Sequence, residues 1–345
     1  INEGEYAGTY AHGPDNISQG AFGAEVGCRS METVLVANHL VNDYGIDTLE
    51  IGSMIGWAME LYEKGILTDK DTGGLKLEWG DTDAVIELIR QVAFREGLGD
   101  ILAEGPLAAA ERFGPDSMKY LIHVKGMSNL HTDERAIPSF ALNVAVSSRG
   151  SDHLRGRPAI DLYNLEMEVL DRVYRSPDGY DGPLTNSYSE YEGKPRMVMW
   201  QELCYMAVES LGICKYHTVF LSPNHLAFKE FSRLIQLNTG MEFSEMDLWN
   251  CADRCYTIER LFNLREGMTR ADDTLSDRYF DEPTRLGLPL ARGKRIDRDK
   301  FNAMVSEYYR LHQWDEAGIP TAELLKRLDI SDLWPSKKKS ETDDG

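Results

Sequence analysis

Apolar residues recur along most of this chain at the three-to-four-residue spacing of an amphipathic helix, and glycines fall where the apolar runs stop. In METVLVANHLVNDYG, Met31, Val34, Leu35, Leu40 and Val41 lie near one face, and the run stops at Gly45, the residue best suited to the left-handed conformation beyond a helix end. IGSMIGWAMELYEKG repeats the pattern and stops at Gly65. DTDAVIELIRQVAFREG opens on an Asp/Thr cap and closes at Gly97. DILAEGPLAAAERFG reads as two short helices broken at Gly105-Pro106, because proline suits the first turn of a new helix. Further helices are expected over 197–211, 224–238, 243–266, 298–313 and 320–328. The best strand candidate is KYLIHVKG at 119–126, with its β-branched and aromatic content. SSRGSDHLRGRPAI at 147–160 reads as an ordered loop or a domain boundary, and 174–196 as a longer polar excursion of the functional or inserted kind. The expected fold class is mainly α: two helical domains over 1–155 and 156–335, and a solvated tail at 336–345.

Composition narrows the function. At 345 residues with 42% hydrophobic and 10% aromatic side chains, the chain can fill the cores of two domains. A formal charge of -20 disfavours nucleic acid, which needs a basic stripe for its phosphates. The longest apolar runs, such as Ile55 to Leu61, are broken by Glu and Lys well short of the roughly 20 residues of a membrane span. The opening INEGEYAGTYAHGPDN has neither a basic start nor an apolar stretch, so a cytoplasmic protein is expected, and the missing initiator methionine points to a piece of a longer chain. Cysteine usage points the same way. Five cysteines without a secretory signal argue against a disulfide framework, and without any C-x-x-C a cluster would need ligands from outside this chain.

The strongest internal signal is a near repeat. NDYGIDT at 42–48 and ESLGICK at 209–215 each end an amphipathic helix at a glycine, followed by isoleucine and then a carboxylate or a thiol. A glycine there exposes backbone N–H and C=O groups, and Asp47 or the side chains at 42 and 209 can grip an amino-pyrimidine edge. The same pattern is also a common helix stop, and spacing alone leaves both readings open.

These two loops, with LYEKG at 61–65, YLIHVKGM at 120–127 and SSRGSDHLRG at 147–156, resemble the aldehyde ferredoxin oxidoreductase family of tungsten enzymes. The resemblance implies domains 2 and 3 of that fold, without the N-terminal domain that covers the pterins or the C-x-x-C-x-x-x-C run that supplies three cluster thiolates. It further implies a tungsten bis-pterin cofactor and a 4Fe-4S cluster. Gly45, Ile46, Asp47 and Thr48 match the first pterin loop, and Gly212, Ile213, Cys214 and Lys215 the second, with Cys214 as fourth ligand of the cluster. Asn42 and Glu209 stand where the family has Asp in each loop.

The reaction implied depends on finer detail. Where the aldehyde branch carries G-P-E-Y-E, this chain has GPDNISQGAFGAEVGCRSMETV, with Cys28 shortly after. A thiolate is a good soft ligand, so Cys28 either binds tungsten, as in the catalytic tungsten subunit of class II benzoyl-coenzyme A reductase, or is a buried thiol at a helix start. His153 reads as a site-lining, proton-handling group or as a loop histidine paired with Asp152. Arg149 and Arg155 suit cofactor phosphates or surface ion pairs. His123 reads as structural, Cys204 as core, and Cys251 with Cys255 as one face of a core stripe continued by Ile258 and Phe262. No Glu lies three residues before any of the eight histidines, so the E-x-x-H interface metal of some relatives is not expected. The function expected is therefore that of the C-terminal part of an anaerobic oxidoreductase that reduces an aromatic acyl-CoA ring; the alternatives are aldehyde oxidation and a metal-free helical interaction module. The implied partners are ferredoxin or an iron-sulfur electron-transfer subunit, and a second copy in a homodimer.

Overall fold

The computed structural model describes residues 1–11, 13–129, 131–285 and 289–334, so the expected tail at 336–345 lies outside the described residues. It is mainly helical, and its two compact units divide between Asp133 and Glu134, with Leu275–Glu282 returning to the first.

In the first unit the helices Met31–Tyr44, Thr48–Glu63 and Thr82–Phe94 begin at Ser30, Asp47 and Asp81, each of which accepts a backbone N–H of the first turn through its side chain. Such caps satisfy donors that the helix itself leaves unpaired. The Met31 helix buries Val34, Val36, Ala37 and Val41, while Met31 itself is exposed. The Thr82 helix ends earlier than its sequence implies: Arg95 takes the left-handed position with φ 58, and Gly97 opens the next helix, Gly97–Leu102. The break at Gly105-Pro106 is where Pro106–Phe113 begins. Of the strand expected over 119–126 only His123–Val124 forms, paired antiparallel with Met127–Ser128 around a Lys125-Gly126 turn in which both residues have positive φ.

The chain passes from the helix Asn16–Gln19 into a π-helix, Gly20–Glu25, a form that is rare and tends to occur at functional sites. It lies against Gly52 and Gly56 of the Thr48 helix. A Cβ at Gly52 would sit 2.5 Å from the Ala21 Cβ, and one at Gly56 would sit 2.9 Å from the Glu25 carbonyl oxygen. Only glycine lets the two backbones approach this closely.

The second unit is built on the helix Lys194–Leu211, which is buried on nearly every side and packs on Pro138–Val146, Glu245–Arg265 and Arg298–Leu311. Cys204 lies fully inside it. Its core also holds polar groups bonded to one another, although Glu202 Oε1 and His312 Nδ1 have no hydrogen-bond partner among the described residues. Tyr308 donates to Glu202 at 2.9 Å, Tyr256 and Tyr308 share a hydroxyl contact at 2.9 Å, and His312 Nε2 lies 3.3 Å from Glu202. Lys194 meets Asp161 at 2.5 Å, and Ser139 donates to the other Asp161 oxygen at 2.6 Å.

The expected core stripe of Cys251, Cys255, Ile258 and Phe262 is not core. Cys251 is exposed, Ile258 and Phe262 are 39% and 53% exposed, and the buried face of that helix is instead Leu248, Trp249, Ala252, Tyr256, Thr257 and Leu261.

Candidate functional site

The two repeated loops, one in each unit, have nearly the same backbone. Gly45 has φ 69 and ψ 35 and Gly212 has φ 68 and ψ 27, both left-handed at a helix end. Ile46 N–H donates to the Val41 carbonyl at 2.9 Å and Ile213 N–H to the Val208 carbonyl at 3.1 Å, the long bond of a Schellman close. The next residue is extended in both: Asp47 at φ -66 and ψ 123, Cys214 at φ -69 and ψ 131. There the loops diverge in chemistry. Asp47 spends a carboxylate oxygen on the Glu50 N–H at 2.9 Å and caps the following helix, whereas Cys214 starts a single turn, Lys215–His217, without a capping bond. Its thiol is exposed.

Around the second loop the structure gathers several of the candidate residues. Glu209 accepts from Arg155 at 3.0 Å and from Lys215 at 2.6 Å. Lys215 also donates to the Leu154 carbonyl at 2.6 Å and lies over the Tyr205 ring. Arg155 reaches Glu259, whose carboxylate also accepts from Ser148 at 2.6 Å. The SSRGSDHLRG segment and the ESLGICK loop are thus tied side by side through charged groups. Asp152 accepts from the Leu154 N–H at 2.8 Å, which shapes the His153–Arg155 turn, and Arg149 donates to it at 2.6 Å. His153 is half-buried at the start of that turn. In the first loop Asn42 turns back to donate to the Asn38 carbonyl at 2.6 Å, and Thr48 is the first helical residue after the loop. His123 Nδ1 accepts from the Gly126 N–H at 3.4 Å, within its hairpin.

Cys28 sits in the first unit between the π-helix and the Ser30 cap. It is buried, and the Ser30 N–H points at its sulfur from 3.4 Å.

The two glycine turns and the exposed Cys214 thiol suit a pterin and an iron ligand: the turns present bare backbone and the thiol has no competing bond. Cys28 offers a soft donor in a more enclosed place. Among the described residues no group of three or more His, Cys, Asp or Glu could hold a metal, so Cys214 does not meet Cys251 and Cys255 around an ion.

Glu25, to which the sequence draws no attention, is a strongly perturbed carboxylate of the first unit. It ends the π-helix, where Ser53 donates to its Oε1 at 3.1 Å and Oε2 has no hydrogen-bond partner among the described residues. Burial raises its pKa from the usual 4.5 to about 7, opposed by the Ser53 bond. A raised carboxyl stabilises the fold fully below pH 4.5 and loses that contribution as pH climbs through 7. At about 1.4 kcal/mol per pH unit, wild type should lose on the order of 3 kcal/mol relative to Glu25→Gln between pH 4.5 and pH 8, as read by urea unfolding at each pH. Parallel stability curves for the two proteins would show that Glu25 titrates normally.

The whole of residues 1–330 matches the family described as aldehyde ferredoxin oxidoreductase, domains 2 and 3, and the chain belongs to that family. The tungsten-containing aldehyde ferredoxin oxidoreductase of Pyrococcus horikoshii is 29% identical over 325 residues, covering 93% of this chain and 49% of that protein. A Pyrococcus furiosus protein named aliphatic sulfonate oxidoreductase, WOR-like subunit, is 29% identical over 343 residues, covering 96% of this chain and 48% of that protein. The chain therefore spans about half the length of the curated relatives it matches. Among solved structures, the active-site complex BamBC of benzoyl coenzyme A reductase with 1,5-dienoyl-CoA superposes with a TM-score of 0.72 at 22% identity, over 93% of this chain and 49% of that one, a likeness of fold. Among the described residues no helix is long and apolar enough to cross a membrane.

Proposed function

We propose that this chain supplies domains 2 and 3 of a tungsten bis-pterin oxidoreductase with a 4Fe-4S cluster, and that the whole enzyme reduces the ring of an aromatic acyl-CoA. The observation that carries the cofactor reading is the pair of loops whose backbones match around a shared Gly-Ile, with Asp47 as a cap in one and Cys214 as an exposed thiol at the same place in the other. Each loop would hold one pterin, through Gly45 to Thr48 and through Gly212 to Lys215, and Cys214 would complete the cluster with three thiolates from outside this chain. When bound, the tungsten and the cluster supply low-potential electrons. The protein's own part is positioning. The left-handed glycines, whose N–H groups close the helix ends, turn their C=O groups and the extended backbone beyond toward a flat heterocycle, and Arg155 and Lys215 hold Glu209 in place beside the second loop. His153, next to the Asp152 cap, would handle protons, and Arg149 would meet cofactor phosphate by exchanging its bond to Asp152. Cys28 would bind tungsten directly by turning its sulfur away from Ser30.

Ring reduction is favoured by the lack of Glu where the aldehyde branch has its Glu-rich stretch, with Cys28 shortly after, and by the fold shared with BamBC. Aldehyde oxidation to the acid is the second reading, favoured by 29–30% identity to aldehyde ferredoxin oxidoreductases. Electrons would come from or go to ferredoxin or an iron-sulfur subunit of a cytoplasmic, anaerobic enzyme that pairs as a homodimer. Anaerobic product analysis on the full-length protein separates the two: a dienoyl-CoA from benzoyl-CoA with a low-potential donor is the expected result. Acid formation from aldehydes without any ring reduction would overturn the first reading and leave the cofactor assignment standing.

A further inference from the structure

We propose that the cavity beside Glu25 in the first unit is a binding site for a small primary ammonium compound, a role independent of the cofactor loops. The cavity has a volume of about 200 Å³ and is lined by the rings of Trp57, Trp79, Tyr120 and Tyr279, with Glu25 and Ser53 among its polar lining residues. A cavity of about 150 Å³ already admits benzene, so there is room for a ring carrying one short polar arm. Trp79 is 45% exposed and Trp57 is 5% exposed, giving the cavity a rim and a wall.

The polar groups of the wall are nearly all engaged. Ser53 donates to Glu25 at 3.1 Å and to the Asn129 carbonyl at 2.8 Å, and Trp57 donates to the Ser117 carbonyl at 3.3 Å. Ser128 donates to Glu50 at 2.9 Å, and Glu60 is held by Arg278 through two bonds of 2.9 and 3.2 Å. Glu25 Oε2 is the buried side-chain atom of this wall that is without a partner among the described residues. An acceptor left unfilled in an enclosed place is costly, and a carboxylate there more so, unless a donor carrying positive charge meets it. Aromatic faces attract the same charge, so the rings and the carboxylate select the same head group. Glu60 adds negative charge on this side and, with Glu25, disfavours anions. Gly56 and the π-helix are what bring Glu25 here, since any side chain at 56 would press on the Glu25 carbonyl.

Benzylamine titrated into the full-length protein at about pH 8, followed by calorimetry and tryptophan fluorescence, tests this directly. The titratable groups facing the cavity besides Glu25 are Glu60, already paired with Arg278, and the phenols of Tyr120 and Tyr279, so between about pH 5.5 and pH 8 Glu25 dominates. The expected result is saturable binding that weakens about tenfold or more at pH 5.5, in Glu25→Gln, and for benzyl alcohol in place of the amine. Trp79→Ala should lose most of the fluorescence change while the calorimetric signal persists in weakened form. Equal affinity for the amine and the alcohol would overturn the ammonium assignment, as would undiminished binding by folded Glu25→Gln. No saturable binding by wild type, or preference for benzoate, would overturn the site.

Discussion

Replacing Lys194 with methionine should destabilise the protein by about 3–5 kcal/mol, measured by chemical denaturation of the second unit's transition. Lys194 and Asp161 are 0% and 1% exposed at the side chain and meet at 2.5 Å, with Ser139 on the second carboxylate oxygen at 2.6 Å. Burial pulls the lysine pKa down and pushes the aspartate up, and each is countered by attraction to the other. Burial disfavours both charges, and each charge offsets the penalty of the other. Removing one strands the other without water or a counter-ion, and that penalty exceeds the worth of the pair itself. The double replacement Lys194→Met with Asp161→Leu should therefore recover most of the loss, because two apolar side chains of similar volume leave no stranded charge. A single-variant loss below about 1 kcal/mol would mean that the site admits water.

Lys194 opens the central helix Lys194–Leu211, Asp161 lies in the turn Ala159–Tyr163, and nothing in the sequence announces their pairing. Lys194 and Asp161 are separated by a polar excursion that reads as surface, and only the packing of Pro138–Val146 on the central helix brings Ser139 to them. The same holds for Glu202, Tyr308 and His312, which are too far apart in the chain for any local pattern to link. What is legible is local. The helix stops at Gly45 and Gly212 and the helix start at Gly105-Pro106 depend on residues within one turn, and the structure places each where the spacing implies. The cysteine stripe fails for a physical reason: Cys251, Cys255, Ile258 and Phe262 do share a face, but apolar spacing does not say which of two apolar faces is turned inward, and the larger Trp249, Tyr256 and Leu261 win the core. Glu25 was invisible because its role comes from a π-turn and two glycines on another helix.

The loops themselves allow the sharpest test, because their backbones match while the residues after the isoleucine, Asp47 and Cys214, carry different chemistry. Asp47→Ala removes a cap and should cost about 1 kcal/mol. Cys214→Ala removes an exposed thiol that caps nothing, so the stability of the fold should change by no more than about 0.5 kcal/mol. If Cys214 is the fourth thiolate of the cluster, the same substitution in the anaerobically purified full-length protein should strip the cluster's iron and its visible absorbance. Cys251→Ser, on an exposed helix face, should leave both intact and serves as the control. Cys214→Asp sharpens the contrast. It gives the second loop the residue of the first, so it should gain a capping bond to the turn at 215–217 and gain stability while still losing iron. A Cys214→Ala protein that keeps its iron would remove the ligand assignment and leave the second loop as a helix stop with an idle thiol. Loss of iron with unchanged unfolding free energy would separate metal binding from folding, an outcome that a merely structural cysteine cannot produce.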